Sequence, residues 1–152
     1  MLLKVAPDLE PAQRAAIAEL VVDHRVDGLI VSNTTVTRPD KLAKELKEEK
    51  GGLSGQLVKD LATERIADFY RLLGGRLPII GVGGVASAAD AYAKIRAGAT
   101  LVQMYTGLVY EGPGVVPDIL NDLVELLKRD GFSNVTQAVG VDTVTPPLKQ
   151  AV

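Results

Sequence analysis

The feature that most constrains this chain is a repeated pairing of a short apolar run with a longer amphipathic one, four times in 152 residues. The short runs lie at 2–6, 28–31, 77–82 and 100–104. Between and after them apolar residues recur at helical spacing. Ile17, Leu20 and Val21 predict a helix over about 11–24, with Pro11 suited to a first turn that has no use for its missing N–H. Leu61, Ile66, Phe69 and Leu73 predict a second from near Asp60 to the Gly74-Gly75 stop. Ser87 and Asp90 form an S-x-x-D capping box opening a third that runs to Gly98. Ile119, Leu120, Leu123, Val124 and Leu127 stripe a last helix over about 116–130, closed by Gly131. Strands that are apolar on both faces and separated by helices predict a parallel sheet. A small doubly wound sheet and part of a (β/α)8 barrel both fit, a whole barrel taking about 250 residues and eight units.

Composition narrows the chemistry. With 17 Lys+Arg against 19 Asp+Glu the net charge is −2, which offers no basic excess for a phosphate backbone, so no nucleic-acid partner is expected. The absence of Cys excludes disulfides and thiolate metal sites, and a single His removes most zinc and Ser–His–Asp arrangements, so no metal is expected either. Apolar runs fall well short of the roughly 20 residues that span a bilayer. The N-terminal MLLKVAPDL meets a charge too soon for a signal peptide. Residues 1–142 are expected to form one unit, and the short, Pro-containing 143–152 a loosely ordered tail.

The distinctive polar residues follow the apolar runs. Lys4, Pro7 and Asp8 belong to the first, Ser32-Asn33-Thr34-Thr35 to the second, Gly83-Gly84 to the third and Tyr105-Thr106-Gly107 to the fourth. Parallel α/β folds place their ligands at these C-terminal strand ends. Gly83-Gly84 either makes a tight turn or lets backbone approach an anion, with the N–H groups of Gly84, Tyr105 and Thr106 converging on phosphate oxygens. Lys4 is either a snorkelling surface cation or an inward group, forming a Schiff base or holding negative charge on a cofactor. Asn33, Thr34 and Thr35 suit recognition of a planar polar substrate, or Asn33 bonds its own turn. The connection from Asn33 to Lys59 is long against the usual 2–6 or so residues and has the length of a lid. Within it, Lys41/Glu45 and Lys44/Glu48 have the spacing of a solvated helix, and Gly51-Gly52-Leu53-Ser54-Gly55 can turn backbone N–H groups to a ligand. His24, in the last turn of the first helix, reads as structural.

Together these segments resemble a known family. Lys4-Val5-Ala6-Pro7-Asp8, GLIVSNTT from Gly28, GGLSG from Gly51, IIGVGGV from Ile79 and LVQMYT from Leu101 match, in order and spacing, dihydroorotate dehydrogenase of the quinone-dependent class 2. Tyr105-Thr106 and the SNTT run favour that class over the soluble one, and the resemblance extends to about Asp142. It implies the C-terminal half of a (β/α)8 barrel, an α/β fold of four parallel strand–helix units. It also implies an enzyme that uses FMN and a quinone to oxidise dihydroorotate to orotate in de novo pyrimidine (UMP) synthesis. By that resemblance Lys4, Ser32, Gly55, Gly84, Tyr105 and Thr106 are FMN contacts, and Asn33 and Thr34 substrate contacts. Lys4 lies by the flavin ring and stabilises its anionic reduced form, and residues 105–113 help line the quinone site.

The N-terminal half, with its membrane-associating helices, the rest of the flavin site and the serine that acts as base, lies outside the resemblance. No catalytic residue is therefore expected in this chain, Ser54 and Ser87 being hydroxyls outside the base motif, and the chain alone is expected to be inactive. Its expected partners are dihydroorotate/orotate, quinone, and either the N-terminal half or a second copy to complete the barrel. The parent family is membrane-associated, at the cytoplasmic side of the bacterial inner membrane or at the mitochondrial inner membrane, and the location of this piece is left open. Two other readings stand beside it. One is a non-catalytic half-barrel module that self-associates to hide its sheet edges. The other is a flavin-free phosphate-binding barrel enzyme with Lys4 as Schiff base.

Overall fold

A computed structural model describes residues 1–143, so residues 144–152 of the expected tail lie outside the described residues. Strands β1 (Leu2–Val5), β2 (Gly28–Val31), β3 (Ile79–Val82) and β4 (Leu101–Gln103) pair in parallel in the order β1-β2-β3-β4. The register aligns Lys4 with Ile30, Ile30 with Ile80, and Ile80 with Leu101. A doubly wound sheet reverses its strand order at a switch point. Each strand here lies beside its sequence neighbour, as in an arc of a (β/α)8 barrel, so the doubly wound alternative falls away.

Helices α1 (Pro11–Asp23), α2 (Lys59–Leu73), α3 (Ala88–Ala97) and α5 (Val115–Arg129) lie where helical periodicity places them. Pro11 opens α1, and the Gln13 side chain accepts the Glu10 N–H at 2.9 Å. At α3 the Ser87 hydroxyl accepts the Asp90 N–H at 3.2 Å. The Asp90 carboxylate does not complete the expected box by returning to Ser87, but accepts the Ala86 N–H at 3.2 Å and faces the start of α2. A short helix, α4 (Thr106–Glu111), was not foreseen, because six residues with Leu108, Val109 and Tyr110 exposed carry no readable apolar stripe.

The expected solvated helix around Lys41 to Lys50 does not form, and a single 3-10 turn at Lys44–Leu46 stands in its place. A helix this short gains too little from propensity and exposed Lys–Glu pairs to offset nucleation without an apolar face to bury. Leu42 is buried, but Leu46 is exposed. Arg38 instead gathers the segment, donating to the carbonyls of Glu49 at 2.9 Å and Gly51 at 2.7 Å.

The core lies between the sheet and the helices. Leu29, Val31 and Ile79 are fully buried against Ile66, Phe69 and Leu73 of α2, with Val5 and Val21 beside them. The alternate residues, Leu2, Lys4, Ile30, Ile80, Leu101 and Gln103, point to the other face. That face is incompletely covered, with Leu2 48% and Leu101 60% exposed. The stripe of α5 is split likewise: Leu127 is buried, Leu120 and Val124 are exposed. After α5 the chain returns to α3, where Arg96 pairs with Asp130 at 3.0 Å and with Asp142 at 2.5 Å. Thr143, counted with the tail on sequence grounds, is buried and donates to the Ala97 carbonyl at 2.9 Å. No described helix is long and apolar enough to cross a membrane.

Among the described residues one charged side chain is fully buried. Lys94 of α3 donates through Nζ to Thr63 Oγ1 at 3.0 Å and to the Lys59 carbonyl at 3.4 Å, tying α3 to the first turn of α2. Burial pushes its ammonium down to about 8, Asp90 and Asp60 opposing the shift and Lys59 adding to it. The folded state therefore holds fewer protons than the unfolded chain between about pH 8 and the usual lysine range, so this group's contribution to stability rises with pH across that window. Below pH 8 its cost is present in full. Lys94→Met, which keeps the bulk and leaves Thr63 bonded to the Lys59 carbonyl, is expected to stabilise the protein at pH 7 by about 2 kcal/mol. Urea melts of both proteins at pH 7 and 9.5 check this. The gap should narrow at the higher pH, and a gap that widens would contradict the assignment.

Candidate functional site

Because the strands run parallel, all four βα connections leave from one rim, and there they enclose a cavity of about 170 Å³. Lys4, Ser32, Asn33, Thr34, Gly55, Gly84, Tyr105 and Thr106 all line it, whereas Thr35, grouped with Asn33 and Thr34 for substrate recognition, is buried against Asp8 instead of facing the cavity. Lys4 stands on β1 on the incompletely covered face of the sheet. Ser32 is buried, donates its N–H to the Val82 carbonyl at 3.3 Å and its hydroxyl to the Asn33 carbonyl at 3.0 Å. The Asn33 N–H bonds the Val5 carbonyl at 2.8 Å, which carries the line of β2 past its end and leaves the Asn33 side chain at the cavity.

The long connection after β2 folds back to supply a further wall. Thr35 and Leu53 exchange backbone hydrogen bonds at 3.1 and 2.8 Å, laying Gly51 to Gly55 across the strand ends. A Cβ at Gly52 would fall 1.9 Å from Thr34 Oγ1, so only glycine allows this approach. Thr35 is itself buried and anchored by Asp8, whose carboxylate accepts the Thr35 hydroxyl and, at 3.0 Å, the Val36 N–H. On the far side the Thr106 hydroxyl donates to Ser54 Oγ at 3.2 Å, so the loop reaches from β2 to the end of β4.

Gly84 sits where two walls meet. Its φ is +69°, and a Cβ there would lie 2.5 Å from Lys59 Cβ and 3.0 Å from the Gly55 carbonyl. Behind it Asp90 pairs with Lys59 at 3.0 Å and accepts from Gln56 Nε2 at 3.2 Å. Burial raises the Asp90 carboxyl, but the hydrogen bonds from Lys59, Gln56, Ser87 and the Ala86 N–H outweigh it and hold the group below the usual carboxylate range.

The lining chemistry favours an anion bearing acceptor oxygens. Among the described lining residues Lys4 is the one charged group. The rest are hydroxyls, one amide, glycine backbone and the apolar Val58, Val82, Val85 and Met104. A wider groove of about 510 Å³ runs on between the Gly52–Leu57 loop and α4, past Ala86, Tyr110 and Glu111. Among the described residues no cluster of His, Cys, Asp and Glu could hold a metal ion. Sequence reasoning did not assign Ser54 its contact with Thr106, Asp8 its anchoring of Thr35, or Gln56, Lys59 and Asp90 any place at the site. Asp90 had a local signal, but one that pointed to helix capping.

Comparison with known proteins gives a consistent relationship. The family model described as dihydroorotate dehydrogenase matches residues 1–127. A dihydroorotate dehydrogenase (quinone) of Xanthobacter autotrophicus is 57% identical over 142 residues, covering 93% of this chain and 40% of that protein. The mitochondrial dihydroorotate dehydrogenase (quinone) of Mus musculus is 50% identical over 142 residues, covering 93% of this chain and 36% of that protein. The crystal structure of ligand-free dihydroorotate dehydrogenase from Eimeria tenella superposes with a TM-score of 0.90 at 40% identity, over 95% of this chain and 40% of that one. The chain thus spans about 40% of the Xanthobacter relative's length.

The crowding at Gly84 yields a direct expectation. Gly84→Ala should destabilise the protein by at least about 2 kcal/mol, from the left-handed backbone and the clash with Lys59. Gly114→Ala, where a Cβ meets open space, should change stability little, and urea melts of the two variants make the comparison.

Proposed function

The chain belongs to the dihydroorotate dehydrogenase family, and from that premise we propose that it forms the phosphate-holding and substrate-recognising side of a flavin mononucleotide site. The site would serve a barrel that oxidises dihydroorotate to orotate, with a quinone as final acceptor, in pyrimidine (UMP) synthesis. One observation carries the reading: Lys4, Asn33, Gly55, Gly84 and Thr106, drawn from four strand ends and one long loop, line a single cavity with one positive charge and no carboxylate among its described residues.

The residues fit the group. Gly84, with Tyr105 and Thr106, would offer backbone N–H groups and the Thr106 hydroxyl to the phosphate oxygens. Ser32 and Gly55 would meet the rest of the cofactor, and the Lys4 ammonium would lie beside its electron-rich edge. Asn33 and Thr34 would hydrogen bond the carbonyl and N–H groups of the substrate ring, to which an amide and a hydroxyl are matched. Bound flavin supplies the hydride-accepting chemistry. Residues 105–113, with Val109 and Tyr110 exposed, would border the quinone.

A cavity of about 170 Å³ is smaller than the roughly 300–1,000 Å³ of a complete small-molecule pocket, so it suits one part of the cofactor. The remaining wall, the base that takes the substrate proton and any association with a bacterial or mitochondrial inner membrane would belong to the rest of the barrel. The exposed Leu2 and Leu101, and Leu120 and Val124 on α5, are apolar surface that such a partner would cover.

Two measurements test the reading. The chain should bind FMN at least about tenfold more tightly than riboflavin, since riboflavin lacks the phosphate. Equal affinity would remove the phosphate assignment. Mixed with the separately produced remainder of the Xanthobacter relative, the chain should support dye reduction by dihydroorotate. Asn33→Ala should then lower kcat/KM on the order of 10- to 100-fold while leaving flavin content unchanged, through loss of one or two substrate hydrogen bonds.

A further inference from the structure

Asp90 does not line the cavity, yet its carboxylate joins the segments that do. It is 9% exposed, in the first turn of α3. Its Oδ1 accepts from Lys59 Nζ at 3.0 Å, and its Oδ2 accepts from Gln56 Nε2 at 3.2 Å and from the Ala86 N–H at 3.2 Å. The same Gln56 nitrogen donates to the Gly84 carbonyl at 3.0 Å. Both neighbours of that nitrogen are acceptors, so the orientation of the amide is decided and both of its hydrogens are used. One side chain therefore ties the residue after Gly55 to the Gly84 turn and to α3. Lys59 adds a second tie, and its backbone is packed so closely that a Cβ at Gly84 would lie 2.7 Å from Lys59 Cα. Local capping accounts for only part of the carboxylate's bonding, the Ala86 N–H, since Lys59 and Gln56 reach it from a different segment of the chain.

We propose that Asp90 is a positioning residue: acting through Gln56 and Lys59, it holds residues 55–59 against the Gly83-Gly84 turn and sets the width of the cradle between Gly55, Gly84 and Thr106. The positioning follows from the contacts alone, and its consequence for a ligand rests on the flavin-phosphate reading. Without the clamp the segment keeps the Thr35–Leu53 pair, the Ser54–Thr106 bond, the buried Val58 and the Lys94 bond to the Lys59 carbonyl, so what loosens is the Gly55–Gln56 stretch beside Gly84.

The test compares the full chain with Asp90→Asn, Gln56→Ala and the double variant. Amide hydrogen exchange without ligand should quicken about fivefold or more over residues 51–59 in each single variant, while the interior of α2 keeps its protection. The double variant should exceed neither single by more than about twofold, as members of one clamp do. FMN dissociation constants should rise about tenfold and riboflavin constants less than twofold. Unchanged exchange over 51–59 in both single variants would overturn the proposal. So would a loss of protection spread evenly through α2 and α3, which would mark Asp90 as a general stabiliser. A wild-type chain that binds no FMN would instead overturn the flavin reading, with the exchange comparison still deciding the clamp.

Discussion

A parallel strand can lie beside the next one only if the chain crosses back outside the sheet, so every strand in such an array ends on the same rim. That constraint organises this protein. Lys4, Asn33, Gly84 and Thr106 are far apart in sequence, yet each stands at the finish of a strand or just beyond it. The order β1-β2-β3-β4 then curves these finishes around one hollow instead of splitting them across a switch point.

The strand ends alone would leave the hollow open toward α2, and the segment between β2 and α2 closes it. Its closure rests on local fits with little tolerance. Gly52 admits Thr34, Asp8 holds Thr35 and Val36, and Arg38 gathers two carbonyls at the base of the fold-back. On the opposite side, Gln56 and Lys59 bind the end of that segment to α3 through Asp90. Oriented backbone N–H groups can serve an anion only if the peptide planes hold still, and these side-chain ties restrain the segment that carries Gly55.

The same fold leaves apolar surface without a cover. The helices occupy one face of the sheet, and the other presents Leu2 and Leu101 to solvent beside β1 and β4, whose outer edges are unpaired among the described residues. Leu120 and Val124 of α5 are exposed as well. The chain spans about 40% of the Xanthobacter relative's length and superposes on the Eimeria tenella enzyme with a TM-score of 0.90 over 95% of its own, so its four strands correspond to part of that protein's fold.

Much of this was legible beforehand. The four β/α pairs, their boundaries to within a residue or two, and the placing of Lys4, Asn33, Gly84 and Thr106 at or just past strand ends follow from periodicity and from where polar and glycine residues interrupt it. These are local signals, set by the one or two turns of chain around each residue. Periodicity alone left the strand order open, because the same alternation builds a doubly wound sheet; the family resemblance implied the barrel arc, and the order β1-β2-β3-β4 agrees with it. The fate of Lys41 to Lys50 was not legible: its charge spacing suits a helix, but its lack of a buried face denies it one. Asp90 read as half of a capping box and became a bridge, since which donor a carboxylate meets depends on Gln56 and Lys59 arriving from another part of the chain. The sequence by itself determined which segments are strands and helices and which residues stand at their ends. Only tertiary packing decided which ends share a hollow and what holds them there, because those contacts are made between residues that the linear order keeps apart.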